Sequence, residues 1–203
     1  MEDLYKYENE LYDKGLKYIG GVDEVGRGPL IGSVVAACVV LPRDFKLDGL
    51  TDSKKLSEKK RDEFYNIIRE KAIAIGIGIV DEKKIDEINI YEASRSGMVE
   101  AIKGLSIVPD YILTDAMPLY DFFGTPIEPL IKGDAKAQCI AAASILAKVT
   151  RDRIMDELDK EYPQYKFKKH KGYPTKEHLE LLEKYGPIKE HYRYSYGPVK
   201  KFL

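Results

Sequence analysis

The 203-residue chain is 44% hydrophobic and 33% charged with a net charge of −1, which excludes a disordered polyelectrolyte and a protein that coats nucleic acid by bulk positive charge. No apolar run reaches the roughly 20 residues that a membrane span requires, and the N-terminal Met-Glu-Asp-Leu-Tyr-Lys lacks the basic and apolar regions of a secretory signal, so a cytoplasmic protein is expected. Cys38 and Cys139 lie inside apolar runs with no CxxC spacing, and are read as two buried reduced thiols.

In chain order, residues 18–24 and 32–41 read as two strands joined by a short Gly/Pro turn, an antiparallel hairpin. Ser57 caps a helix running to about Lys71, and residues 72–80 alternate with Ile at 73, 75, 77 and 79 as a third strand. Residues 81–104 suit a helix broken near Asn89. Short strands follow at 111–114, ending at Asp115, and at 126–132, stopping before Gly133-Asp134. From Ala135 to about Glu161 the chain is rich in Ala, Ile and Leu and predicts the longest helix, closed by Pro163, with a further helix near 175–185. A hairpin followed by alternating helices and strands predicts an α/β protein, a mixed sheet flanked by helices.

The charge is unevenly placed. Residues 160–203 carry a surplus of six positive charges, with all three histidines and seven of the fifteen tyrosines. Basic residues interleaved with aromatics suit a surface that follows a phosphate backbone and packs on sugars or bases, and a solvated tail is the plainer alternative.

Acids gather at predicted strand ends: Asp23 and Glu24, Asp115, and Asp134. Adjacent carboxylates repel one another unless a cation lies between them, and hard oxygen donors suit Mg²⁺ or Mn²⁺. Asp23 and Glu24 point to opposite faces of a regular strand, so they can share a metal only where the strand ends; the Gly26-Arg27-Gly28 turn supplies that end. Its glycines open the main-chain N–H groups to a bulky anion, and Arg27 adds charge toward a phosphate. Asp152, 18 residues beyond Asp134, stands ~27 Å further along a continuous helix and is expected in a structural ion pair. Ser144 and the alanines at 141–143 are read as close helix packing on the sheet.

These segments resemble ribonuclease HII, the type 2 ribonuclease H family, from about residue 18 to 196. The likeness runs through Asp23-Glu24-Val25-Gly26-Arg27-Gly28-Pro29-Leu30, Asp52-Ser53-Lys54-Lys55-Leu56-Ser57, Leu113-Thr114-Asp115-Ala116, Lys132-Gly133-Asp134-Ala135-Lys136, the Ile140–Arg153 run and His170-Lys171-Gly172-Tyr173. It implies a ribonuclease H-like core over 1–160 and a basic, helical, Tyr-rich segment over 161–203 that packs on the core and contacts nucleic acid. It also implies a metal-dependent endonuclease that cuts RNA in RNA/DNA hybrids and cuts 5′ of single ribonucleotides in duplex DNA, leaving 5′-phosphate and 3′-hydroxyl ends. Asp23, Glu24, Asp115 and Asp134 match the family's catalytic acids, which hold two Mg²⁺ or Mn²⁺ ions. Gly26, Arg27 and Gly28 match the element that contacts the 2′-hydroxyl, and Tyr173 the ring beside the junction sugar. Lys54, Lys55, His170 and Lys171 are placed near phosphates. Pro174 departs from the glycine common after Tyr173 in the family, and no sliding-clamp peptide is evident at the C-terminus, so clamp binding is not expected. A monomer is expected. An integrase or resolvase of the same superfold would share the acids but lack the Gly-Arg-Gly and His-Lys-Gly-Tyr features, and a binding module without catalysis would have no need of all four carboxylates.

Overall fold

The two apolar runs near the N-terminus pair as antiparallel strands, β1 (Ile19–Val25) and β2 (Val34–Val40), with Val22 opposite Cys38 and Val25 opposite Val35. The computed structural model describes residues 4–120 and 124–203. All seven residues of β2 are buried, as expected of a strand covered on both faces; burying a Val side chain fully is worth about 1.5–3 kcal/mol. After α2 (Glu58–Lys71), capped by Ser57 as expected, β3 (Ala74–Val80) pairs antiparallel with β2. Beyond α3 (Glu82–Lys103), β4 (Tyr111–Asp115) lies parallel to β1, and β5 (Ile127–Leu130) lies parallel to β4. The sheet order is β3-β2-β1-β4-β5, the mixed ribonuclease H-like sheet that the sequence reading anticipated.

Helices cover both faces. One face carries α4 (Gln138–Glu161), whose buried Ala141, Ala142 and Ala143 let its backbone approach closely. A Cβ on Gly21 of β1 would stand 2.2 Å from the main chain of Cys139, so only glycine admits α4 at this depth. The opposite face carries α3, whose Met98, Ala101 and Ile102 pack with Val22, Cys38 and Ile112. Asn89 interrupts α3 with φ +69, and its side-chain oxygen accepts the amides of Tyr91 and Glu92, so the expected break is a helix restart capped from within.

Four details depart from the sequence reading. A helix not anticipated there, α1 (Lys6–Asp13), packs beside the start of α4, where the Glu8 carboxylate accepts the Cys139 amide at 2.7 Å. Ala137, at the N-cap of α4, has no side chain able to do this, so the cap comes from another helix. The segment joining β1 and β2 is not a tight turn but a loop over residues 26–33. The last strand ends at Leu130 rather than near 132, because Lys132 takes a left-handed conformation (φ +58) that turns the chain into the 3-10 turn Gly133–Ala135; α4 therefore begins at Gln138.

The C-terminal segment folds back onto the second half of α4 through α5 (Phe167–His170), α6 (Lys176–Tyr185) and α7 (Gly197–Lys200). Tyr165, Phe167 and Tyr192 are buried in a cluster with Leu30, Ile31, Met155 and Leu158. Tyr165 and Tyr192 thus serve as core and not as a platform for bases, which corrects the reading of the segment's tyrosines as one exposed surface: composition cannot separate a buried ring from an exposed one.

Candidate active site

Asp23 lies near the end of β1 and Asp115 is the last residue of β4. The two strands are parallel, with Val22 beside Thr114, so the next residue of each strand, Asp23 and Asp115, is brought side by side. Both follow an alternation that turns them toward α4: Gly21 faces Cys139, and Leu113 packs with Ile140. Asp134 sits in the turn after β5, and the Gly133 amide donates to Asp115 Oδ1 at 2.7 Å, tying that turn to the end of β4. A Cβ on Gly133 would meet Ile140 at 2.6 Å, so a larger residue there would push Asp134 outward. Glu24 completes the group, and its carboxylate is 3.4 Å from Arg27.

The electrostatics record this crowding. Burial, then the charges of Glu24 and Asp115, hold the Asp23 carboxyl well above the ordinary range. Burial pushes Glu24 up to about 7, with Arg27 opposing the rise and Asp115 adding to it. Asp134 is raised by burial and by Asp115 and Asp52, and lowered by Lys54 and Lys55. Lys54 is itself held above its usual value: burial works against its charge, but Asp52, Asp23 and Asp134 outweigh it. The charge of Asp115 thus raises Asp23, Glu24 and Asp134 alike, which marks the four acids as spatial neighbours. Among the described residues no group of three or more His, Cys, Asp or Glu side chains is already drawn together to hold a metal ion. The donor set still suits Mg²⁺ or Mn²⁺, which keep several waters and are held by a few carboxylates together with substrate phosphate oxygens. Clustered oxygen donors whose charge is costly in the absence of a cation fit such an ion on chemical grounds.

Gly26 (φ +100), Arg27 and Gly28 begin the loop beside these acids. A Cβ on Gly28 would lie at an ordinary contact distance of 3.5 Å from the Tyr173 ring, so the turn and the aromatic are close neighbours in space. Lys54 and Lys55 are exposed in a short turn in which the Asp52 carboxylate accepts the Lys54 amide at 2.9 Å.

Two residues expected at phosphates are placed elsewhere. His170 is buried: its Nε2–H donates to the Tyr165 carbonyl at 2.9 Å, and its Nδ1 accepts the Gly172 amide at 3.2 Å. Lys171 turns inward to an ion pair with Asp156, its side chain only 14% exposed. Both instead hold the loop that presents Tyr173. Sequence proximity to Tyr173 suggested a shared surface, but left-handed conformations at Lys171 (φ +49) and Gly172 (φ +83) send successive side chains in different directions. Asp152 pairs with Lys148 at 2.7 Å and lies 3.9 Å from Arg61, the structural ion pair expected of it.

A ribonuclease HII family model matches residues 20–198. The chain belongs to the ribonuclease HII family. It is accordingly a ribonuclease H, an endonuclease and hydrolase of the type that acts on RNA/DNA hybrids. The ribonuclease HII of Bacillus thuringiensis (strain Al Hakam) is 57% identical over 203 residues, which cover 99% of this chain and 77% of the relative. The ribonuclease H2 structure from Pyrococcus horikoshii OT3 superposes with a TM-score of 0.78 at 27% identity, covering 91% of this chain and 96% of that one. The ribonuclease HII in the PCNA:RNase HII complex from Archaeoglobus fulgidus gives 0.69 at 27% identity, covering 83% and 88%.

Within this ribonuclease HII site, sequence reasoning missed the residues that brace it. Ser144 does more than pack: its hydroxyl lies 2.9 Å from that of Ser53 and favours the charged form of the Asp23 carboxylate, so α4 and the turn at residues 53–55 meet at one acid. Arg151, Arg193 and Tyr196 hold the loop of Gly26–Gly28 through its carbonyls. The sole sequence signal for this was Arg151 itself, a charge inside the apolar α4 run where it needs a partner; Arg193 lies in the segment read as a basic surface and gave none.

Proposed function

We propose that this ribonuclease H cuts the phosphodiester on the 5′ side of a single ribonucleotide in duplex DNA as well as RNA in hybrids, leaving 3′-hydroxyl and 5′-phosphate ends. The observation that carries the reading is the closeness of Gly28 to the Tyr173 ring, beside Asp23, Glu24, Asp115 and Asp134. A sugar laid across both would meet the main-chain N–H groups of the Gly26–Gly28 turn, able to bond a 2′-hydroxyl, and the Tyr173 ring next to them. Lys54 and Lys55, exposed beside Asp134, are proposed to take flanking phosphates, and Arg27 to add charge at the scissile one.

Asp23, Glu24, Asp115 and Asp134 are proposed to hold two divalent cations, Mg²⁺ or Mn²⁺. When bound, these supply Lewis acidity at the scissile phosphate and lower the cost of the crowded carboxylates. The chain's own part is to fix the acids: Ser144 and the Glu24 amide orient Asp23, and the Gly133 amide orients Asp115. A monomer is proposed as the working unit, since all the acids come from one chain. Action in the cytoplasm, on ribonucleotides in DNA and on RNA primers, belongs to the same proposal.

The test is a labelled duplex with one ribonucleotide, incubated with Mg²⁺, with Mn²⁺ and with chelator, with the product ends mapped. A cation-dependent cut 5′ of the ribonucleotide is expected. Cleavage of a continuous hybrid alone would remove the junction reading, and metal-independent cleavage would remove the carboxylate mechanism.

A further inference from the structure

Two arginines are among the largest fully buried side chains of the molecule, Arg151 on α4 and Arg193 near the C-terminus. Buried guanidinium groups are ordinarily paired with carboxylates. These instead direct their donors to main-chain oxygens. Arg151 donates through Nε to Ser33 at 3.0 Å, through Nη2 to Ile31 at 3.1 Å and through Nη1 to Lys171 at 3.0 Å. Arg193 donates through Nε to the Gly32 carbonyl at 2.9 Å and through Nη1 to that of Arg27 at 3.2 Å. Tyr196 accepts from Arg193 Nη1 at 3.0 Å and donates its own hydroxyl to the Arg27 carbonyl at 2.5 Å.

The acceptors lie in two places: the loop over residues 26–33, and Lys171, two residues before Tyr173. These are the two neighbouring segments described above, the glycine turn and the loop of Tyr173. The segments are also joined directly, by the Leu30 amide on the Gly172 carbonyl at 2.9 Å. Arg151 is in addition the floor beneath Gly26, since a Cβ there would lie 2.4 Å from its Nε. Irregular loops leave carbonyls without strand partners, and the rigid fork of a guanidinium can satisfy several at fixed spacing, which a lysine cannot. Ser144 lies seven residues before Arg151, on the same face of α4. One helix thus sets Asp23 through Ser144 and the recognition loops through Arg151.

We propose that Arg151 and Arg193 are positioning residues for ribonucleotide recognition, clamping the Gly26–Gly28 turn and the Tyr173 loop into one rigid gauge whose fixed relative placement sets the preference for a single ribonucleotide in DNA. The proposal rests on the junction reading above. Burial, then repulsion from Arg193, lowers Arg151 to about 10, so its positive charge persists at neutral pH. A gauge matters most where one sugar must be told from its deoxy neighbours, and least on a continuous hybrid, where any of many ribonucleotides can enter.

The test is the ratio of kcat/KM on a duplex with one ribonucleotide to kcat/KM on a continuous RNA/DNA hybrid, measured on the same preparation of Arg151→Lys. Loss of folded protein lowers both values alike and leaves the ratio unchanged, whereas a shifted gauge lowers the ratio. We expect a fall of about tenfold, since displacements near 1 Å cost that much or more in oriented reactions. Tyr196→Phe removes one hydroxyl from the Arg27 carbonyl without disturbing the core, and is expected to lower the same ratio about threefold; it carries the test should Arg151→Lys fail to accumulate. Wild-type ratios in both variants would overturn the proposal while leaving the junction reading intact. Wild-type protein that cuts the hybrid but not the single-ribonucleotide duplex would overturn the junction reading, and the gauge with it.

Discussion

The imidazole rings of His170 and His178 stack 4.3 Å apart, their planes 14° from parallel, behind the loop that presents Tyr173. Hydrogen bonding assigns each ring one proton: His178 donates through Nδ1 to the Tyr173 carbonyl and accepts the Tyr192 hydroxyl at Nε2, while His170 donates through Nε2 to Tyr165. Protonating His170 sets a donor at Nδ1 against the Gly172 amide, and protonating His178 turns its Nε2 from acceptor of the Tyr192 hydroxyl to donor. Burial, partly opposed by the bond to Tyr173, lowers His178 to about 4, and burial lowers His170 as well. Between pH 6.5 and 4 the unfolded chain therefore binds more protons than the folded one, so this contribution to stability falls as pH falls through that window. For His178 the loss reaches about 3 kcal/mol at its lower end. The raised carboxylates of the site act in the opposite sense, so the check is a difference: thermal melts from pH 7.5 to 4.5 should show a shallower acid loss in His178→Asn than in the wild type, and parallel curves would refute the assignment.

Gly26 and Gly28 should respond differently to one methyl group. Gly26→Ala forces a side chain into a left-handed position 2.4 Å from Arg151 Nε and 2.9 Å from the Ser33 carbonyl. A loss of about 1–3 kcal/mol is expected, with cleavage reduced because the turn must move. Gly28→Ala meets the Tyr173 ring at an ordinary 3.5 Å. Its stability should stay within about 0.5 kcal/mol of wild type, while the methyl added beside the ring raises KM for a single-ribonucleotide duplex. Denaturant melts and steady-state kinetics on the two variants decide this.

Replacing Asp23 or Asp115 by Asn removes a charge but preserves shape. Cleavage should fall by about 10³-fold or more, while binding of an RNA/DNA hybrid is kept or strengthened, because fewer carboxylates then face the phosphates. Asp23→Asn should not lower the melting temperature, since the charge it removes is buried among like charges. Near-normal turnover in Asp115→Asn would sink its assignment as a ligand.

Glu8 reaches the site through a helix. Its carboxylate is the side-chain cap of α4, the element that bears Ser144 and Arg151. Glu8→Ala should cost about 1–2 kcal/mol, the upper range for a lost cap, and Glu8→Gln less, because an amide oxygen can still accept the Cys139 N–H. Thermal denaturation distinguishes the two, and equal losses would show that packing, not capping, is what Glu8 supplies.

The sequence by itself determined the order of the five strands and of α2, α3, α4 and α6 among them, the acids at strand ends and the Gly26–Gly28 turn, because each depends on local rules: alternation along a strand, a Ser57 cap, a glycine where φ is positive. Even the break at Asn89 was legible, since an Asn that caps its own following turn is a short-range device. Only the tertiary structure decided which charges and rings face inward. Lys54 and Lys171 look alike in sequence, yet one is exposed beside Asp134 and the other is folded onto Asp156. Arg151 gave no sign of its three carbonyls, which lie 20 to 120 residues away along the chain. Its partners are main-chain oxygens, which every residue carries, so no side-chain pattern can announce them. Packing α4 against the 26–33 loop is what brings that donor and those acceptors together.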